Sequence, residues 1–279
     1  MAALPLASDP MPPLTARRLN GERLTVLGWS RAILLQMAHP LIATGVARHS
    51  TFRGGARQTA ARMHGTIKAM LALTFGDEAE RDATLARIRG IHRTVRGTLA
   101  APAGQYEAGT PYSADDPELL LWVHATLLES ITLVYDLVVE PLTSEARDRF
   151  CEESAPTLLA LGGDPARVPR NWRALGDYVE DVHRSGALHI TPEAREIAGA
   201  VLRPRISGVP LPGGSIHRLF TVGLLPPATR EAYGFDWGGR QEKRLTRTIH
   251  VLRIGRRIAP AALARWSCAK GAERARHTF

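Results

Sequence analysis

The stretch from Asp115 to Pro141 constrains this chain more than any other. Asp115-Asp116-Pro117-Glu118 offers carboxylates that can cap a helix, a proline suited to its first position and an acid for its first turn. From Leu119 to Leu128 no residue is charged at neutral pH unless His124 is protonated. The apolar pattern then continues to Val139 before Glu140-Pro141 ends it. As a helix, roughly 23 residues span about 35 Å, the width of a domain. A helix apolar nearly all round packs on several sides, and Glu129 and Asp136 argue against a membrane span. The chain is expected to wrap around this one rod.

Elsewhere the dominant periodicity is helical, and no segment alternates convincingly as a strand. The pattern predicts a helix over 24–38, broken at His39-Pro40 because proline lacks the backbone donor. A short helix follows through Leu41, Ile42 and Val46 toward His49. Residues 57–74 form another, with Met63, Ile67, Met70 and Leu71 on one side, and 77–99 the next. Further helices are expected at 144–161, 172–185, 192–203, 215–223 and 240–258, with Pro/Gly loops at 162–169 and 208–214. The reading is one all-α, multi-helix domain over 15–265. A proline-rich, flexible lead-in (1–14) precedes it and a basic tail (266–279) follows.

Composition narrows the function classes. With 44% apolar and 23% charged residues the chain is of ordinary globular make-up. Two distant cysteines, Cys151 and Cys268, exclude a disulfide scaffold, a cysteine zinc site and covalent c-type haem attachment. No signal peptide and no run of 18 uncharged apolar residues is visible, so a cytoplasmic protein without a transmembrane segment is expected. The net charge of +9 sits in one place: from Arg240 to Arg276 there are eleven Lys/Arg and two Asp/Glu, and the remaining chain is balanced. This arm could meet an acidic surface, membrane headgroups or nucleic acid. Apart from Trp266 it lacks aromatic interleaving, so it reads as a solvated helix face, with no specific nucleic-acid partner and at most weak surface association.

Candidate chemistry rests on histidines. The chain has no Gly-x-Gly-x-x-Gly, P-loop, His-Glu-x-x-His or Gly-x-Ser-x-Gly, which removes nucleotide, zinc-protease and serine-hydrolase readings. In the 77–99 segment Leu85, Ile88, Val95 and Leu99 follow a three-four spacing whose missing member is His92, with Arg89 and Arg96 on the same side. His124 sits among Leu120, Leu121, Leu127 and Leu128 of the central helix. A lone buried histidine is more often a hydrogen-bonded core residue than a ligand. Two of them on adjacent apolar faces bring in haem, which takes an axial imidazole, an apolar slot and arginines for its propionates. Glu180-Asp181-Val182-His183 is a single Glu-x-x-His, whereas a di-iron carboxylate bundle needs two such helices and two more glutamates.

An ordered set of motifs adds to this. Gln36-Met37-Ala38-His39-Pro40, Gly45-Val46, His49-Ser50 and Phe75-Gly76 come first. His92-Arg93-Thr94-Val95-Arg96-Gly97, Tyr112-Ser113-Ala114-Asp115-Asp116-Pro117 and Trp122-Val123-His124-Ala125-Thr126 follow. From about Arg17 to Arg265 the chain resembles the DUF2236 family of oxygenases. That family includes the bacterial latex-clearing rubber oxygenases and the fungal MpaB enzyme of mycophenolic acid biosynthesis. The resemblance implies an all-α fold with a globin-like core holding haem b. It also implies a proximal iron ligand at His124 and dioxygen-dependent cleavage of a carbon–carbon double bond in an isoprenoid chain. An Arg-x-x-Lys of the rubber enzymes stands here as Arg89-Gly90-Ile91-His92, so His92 replaces the lysine.

The expected function is therefore a haem b oxygenase using dioxygen on a hydrophobic, unsaturated or isoprenoid-like small molecule. His124 would hold iron, and His92 would ligate it or bond dioxygen from the other side. Arg89 and Arg96 would anchor propionates, with Arg89 also polarising the oxygen intermediate. The alternatives are a non-enzymatic lipid- or protein-binding bundle with structural histidines, and the di-iron bundle.

Overall fold

A computed structural model describes residues 15–49, 56–203, 205–206, 209–210 and 214–269; the expected lead-in over 1–14 lies outside them. The described chain is all-α. Helix α1 (Thr15–Gly21) and a single 3-10 turn (Arg23–Thr25) lead into α2 (Val26–Met37) and α3 (Pro40–His49). The break between α2 and α3 falls at Ala38-His39, with Pro40 opening α3 where its missing donor is harmless. Helices α4 (Ala56–Phe75) and α5 (Glu78–His92) follow, then a hairpin of β1 (Arg96–Thr98) and β2 (Pro111–Ser113). The central rod is α6 (Pro117–Val138), after which come α7 (Ser144–Leu161), α8 (Trp172–Arg184) and α9 (Pro192–Leu202). A second minimal hairpin, β3 (Arg205–Ile206) with β4 (Val209–Pro210), precedes α10 (Gly214–Gly223), α11 (Pro227–Ala232), α12 (Gly239–Ile258) and α13 (Ala261–Ala264).

Helix α6 is what its capping signals predict. The Asp116 side chain accepts from the Glu118 amide, Pro117 occupies the first turn, and Trp122, Ile131, Val134, Tyr135 and Val138 are sealed from solvent. It is long and apolar enough to cross a membrane, yet 67% of its most apolar window is buried inside the protein. Its three charges all find partners: Glu118 meets Arg167, Glu129 meets Arg31 of α2, and Asp136 meets Arg147 of α7 at 2.7 Å. Helix α2 lies flush on α6 because Gly28 has no side chain; a Cβ there would stand 2.4 Å from the Ser130 carbonyl oxygen.

Several sequence expectations meet a different structure. The predicted 77–99 helix stops at His92. Arg93 and Thr94 turn, the Thr94 hydroxyl bonds the Ile91 carbonyl, and the chain straightens into β1. Val95 and Leu99 continue the apolar spacing, but from a turn and a strand end, and Arg96 leaves the helix altogether. Nor is α5 a core rod: none of its residues is buried, and it packs on α4 and α7. The two hairpins also depart from a reading without strands. Residues 266–269, assigned to a tail, are tied down, since the Trp266 amide donates to the Gly21 carbonyl and Ala269 is buried.

Candidate functional site

Two cavities lie along the α5/α6 pair, and the candidate histidines divide between them. The helices run in opposite directions past the cavities. The first, about 390 Å3, is bordered by the early residues of α5 (Arg81, Asp82, Leu85) and the middle of α6 (His124, Leu127, Leu128, Ile131). Helices α1, α4 and α7 close it with Arg17, Asn20, Met70, Leu73, Phe150, Glu153 and Thr157, among others. The second, about 280 Å3, is bordered by the end of α5 (Ile91, His92) and the start of α6 (Leu119, Leu120, Val123). Residues of α2, α3 and the β1/β2 hairpin complete it, including Gln36, Met37, Leu41, Val46, His49, Val95 and Tyr112.

His124 faces the larger cavity. Its Nε2 is buried and has no hydrogen-bond partner, and burial brings its pKa down to about 4, so the ring is neutral at pH 7. A buried ring nitrogen without a partner calls for an explanation. An axial-ligand role is one, because a neutral imidazole offers its lone pair to a metal. The cavity wall suits a large flat group: Met70, Leu73, Leu85, Leu127, Ile131 and Phe150 are apolar, and Arg17 and Arg81 bring positive charge to its border. Arg17 is itself steadied by donating from Nε to the Thr74 carbonyl. Glu153 accepts from the amides of Thr15 and Ala16, fixing the start of α1 over the cavity.

His92 lines the smaller cavity instead. Its Nδ1 is also buried without a partner, and its pKa is lowered by burial, opposed by the charge of Asp115. The wall around it is mainly aliphatic. Its polar groups are few and held: Gln36 donates to the Val123 carbonyl and to Thr126, and His49 Nε2 lies 3.2 Å from the Tyr112 hydroxyl. Gly97 lets Tyr112 take that place, since a Cβ there would stand 2.6 Å from the hydroxyl. His39, at the α2/α3 break, bonds the Tyr106 hydroxyl through Nε2 at 3.0 Å; burial lowers its pKa to about 4, partly offset by Asp116.

The structure does not bring the four predicted residues together. His92 and His124 border different cavities. Arg89 is exposed and reaches α7, donating to the Ala160 carbonyl at 3.3 Å. Arg96 is on strand β1, exposed, and 3.7 Å from Asp115. Neither borders either cavity, and Arg96 has lost its helical alignment with Arg89 because α5 ends at His92. The arginines that do reach the His124 cavity, Arg17 and Arg81, carry no sequence signal beyond their type. Tyr112, His49 and Gln36 could have been found from the motif strings that hold them. Glu180-x-x-His183 gains no further carboxylates: among the described residues no group of three or more His, Cys, Asp or Glu could hold a metal ion, and His183 instead packs its ring against Trp122.

Comparison with known proteins bears on the whole arrangement. Uncharacterized proteins of Mycobacterium bovis (Mb2261) and Mycobacterium tuberculosis (Rv2237) are each 25% identical to this chain over 231 residues, or 82% of it and 87% of their own length. No solved structure matches. The family described as ER-bound oxygenase mpaB/B'/rubber oxygenase, catalytic domain, matches residues 17–254, which take in both cavities and every helix from α1 into α12. By that match the chain belongs to the MpaB/rubber oxygenase catalytic-domain family.

Proposed function

We propose that this oxygenase-family chain is a haem b-dependent enzyme. With dioxygen it would cleave a carbon–carbon double bond in a hydrophobic, isoprenoid-like small molecule. The observation that carries the proposal is the partnerless, buried Nε2 of His124 at the wall of a cavity of about 390 Å3. The residues there fit haem: one neutral imidazole, an apolar side made by Met70, Leu73, Leu85, Leu127, Ile131 and Phe150, and a polar side where Arg17 and Arg81 would meet the propionates beside Asp82 and Glu153. When bound, haem b supplies the iron centre at which dioxygen is activated.

The side chains divide the remaining work. His124 stays unprotonated well below pH 7 and so keeps its lone pair for iron. Arg17 and Arg81 take the propionate role first expected of Arg89 and Arg96. Met70, Leu85, Leu127 and Phe150 exclude water, which strengthens each electrostatic contact left inside. The second cavity suits the substrate, being aliphatic with a small polar end made by His92, Gln36 and the His49–Tyr112 pair. His92, neutral there, can hydrogen-bond a polar group of the substrate and so hold its double bond toward the haem cavity. Its separate cavity favours this role over ligating the iron held by His124. Cleavage sends one oxygen atom to each carbon of the double bond, so dioxygen alone balances the reaction.

Protein expressed with a haem precursor tests this by its absorption spectrum and pyridine haemochromogen. The expected result is a Soret band and about one haem b per chain. His124→Ala should lower haem content at least about tenfold, whereas His92→Ala should keep haem and lose turnover. A colourless wild-type protein made with ample haem, or a fully loaded His124→Ala variant, would overturn the proposal.

A further inference from the structure

The face of α12 that points away from the protein has an unusual make-up. Val251, Ile254 and Ile258 are 65%, 46% and 79% exposed, and Leu263 of α13 is 68% exposed. These four make up most of the large hydrophobic side chains exposed among the described residues. The first three share one stripe, since positions i, i+3 and i+7 fall within about 60° of each other around a helix. The same face carries Arg240, Lys243, Arg244 and Arg247 along the first half of the helix, and Arg257 flanks the stripe about 90° around near the end, all exposed. Among the described residues no carboxylate pairs with any of these five. The helix has one acid, Glu242, placed about 180° from Val251 and engaged with the Trp237 indole nitrogen.

The inner face explains why the outer one is held in this state. Leu245 is buried, Arg253 donates to the carbonyls of Asp136 and Leu137, and Arg256 forms two 2.7 Å bonds with buried Glu22. Helix α12 is thus fixed to the end of α6 and the α1 turn, and its orientation cannot roll to bury the stripe.

We infer that the outer face of α12 with α13 is a docking surface for an anionic lipid membrane. An apolar stripe bordered by cations and free of acids has the chemistry of a helix that lies in the headgroup layer, with isoleucines inserted and arginines among phosphates. Charge complementarity selects an anionic lipid surface. A second copy of this face would set the five cations against each other, so self-association is disfavoured. A nucleic acid would satisfy the cations and leave the stripe in water.

Co-sedimentation with vesicles tests the inference on the full chain. Vesicles of phosphatidylcholine with about a third phosphatidylglycerol should capture the protein, and pure phosphatidylcholine should not. Ile254→Ser with Ile258→Ser should weaken partition about tenfold or more by removing buried apolar area. Arg244→Gln with Arg247→Gln should weaken it and flatten its salt dependence. Both pairs are exposed, so circular dichroism and melting temperature should be unchanged, which separates lost docking from lost folding. No capture by anionic vesicles at low salt would overturn the inference. So would salt-sensitive capture that both isoleucine changes leave intact, or a concentration-dependent dimer in light scattering that those changes abolish.

Discussion

Among the histidines, His39 and His124 are the most sharply tuned. Each is held at a pKa of about 4 by burial, whereas an imidazole in the unfolded chain titrates near 6.5. Between those values the unfolded chain binds protons that the folded chain refuses. Their contribution to stability is therefore full above about pH 6.5 and is lost as the pH falls toward 4. By pH 5 the loss should be roughly 2 kcal/mol per residue, at 1.36 kcal/mol per pH unit. His39→Gln keeps a polar group for the Tyr106 hydroxyl but removes one titration. Urea unfolding of the haem-free protein at pH 7 and pH 5 should show a drop in stability that is about 2 kcal/mol smaller in the variant. Equal drops in both proteins would mean that His39 is not the titrating group.

At the scale of elements, the α2/α6 pair holds the fold. Arg31, 3% exposed, spans both helices and reaches the turn after α10: it grips Glu129 with two nitrogens at 3.0 and 3.2 Å, the Ser130 hydroxyl at 2.7 Å and the Leu224 carbonyl at 2.7 Å. Removing one partner of such a pair leaves the other charge in a poor environment, so Arg31→Ala should cost about 3–5 kcal/mol. Gly28→Ala, which forces α2 off the Ser130 carbonyl, should cost about 1–3 kcal/mol. Denaturant midpoints measure both, and an Arg31→Ala loss below about 1 kcal/mol would refute the first. Helix α6 was legible because its cap, proline and apolar run all pointed the same way. Arg31, the one charge of α2, and Glu129, set within the apolar run of α6, were a readable hint of their pairing that spacing alone does not reveal. The end of α5 was not legible. The three-four spacing through Val95 and Leu99 persists past His92, because those residues still face the interior from a turn and a strand. A pattern of inward-facing residues reports burial and is silent about the backbone that delivers it. The same blindness hid Arg17 and Arg81: which exposed-type residues border a cavity is decided by how α1, α4 and α5 pack, a long-range property.

For the molecule as a whole, the uneven packing of its helices links the cavities to stability. The rod α6 is buried on several sides, while α5, its neighbour across both cavities, has no buried residue and leans mainly on α4 and α7. Segments with few buried apolar contacts open at low free energy, so α5 is expected to exchange its amide hydrogens far faster than α6. A group seated against His124 would also cover Leu85, Met70 and Leu73, joining α4 and α5 to the core. Ligand that binds only the folded state adds about 2.7 kcal/mol at a hundredfold excess over Kd. For a domain of this size that corresponds to a melting temperature roughly 5–10 °C higher. Haem added to the haem-free protein should therefore raise the melting temperature by about that much and slow exchange chiefly in α4 and α5. In His124→Ala neither change should occur at the same haem concentration. A rise in melting temperature with protection spread evenly over α2, α6 and α9 would show that haem binds elsewhere than beside α5. A buried central helix facing a less buried one across the cavity would let the proposed haem enter without dismantling the core. Loading would then act mainly on α4 and α5, the helices that border the cavity opposite α6.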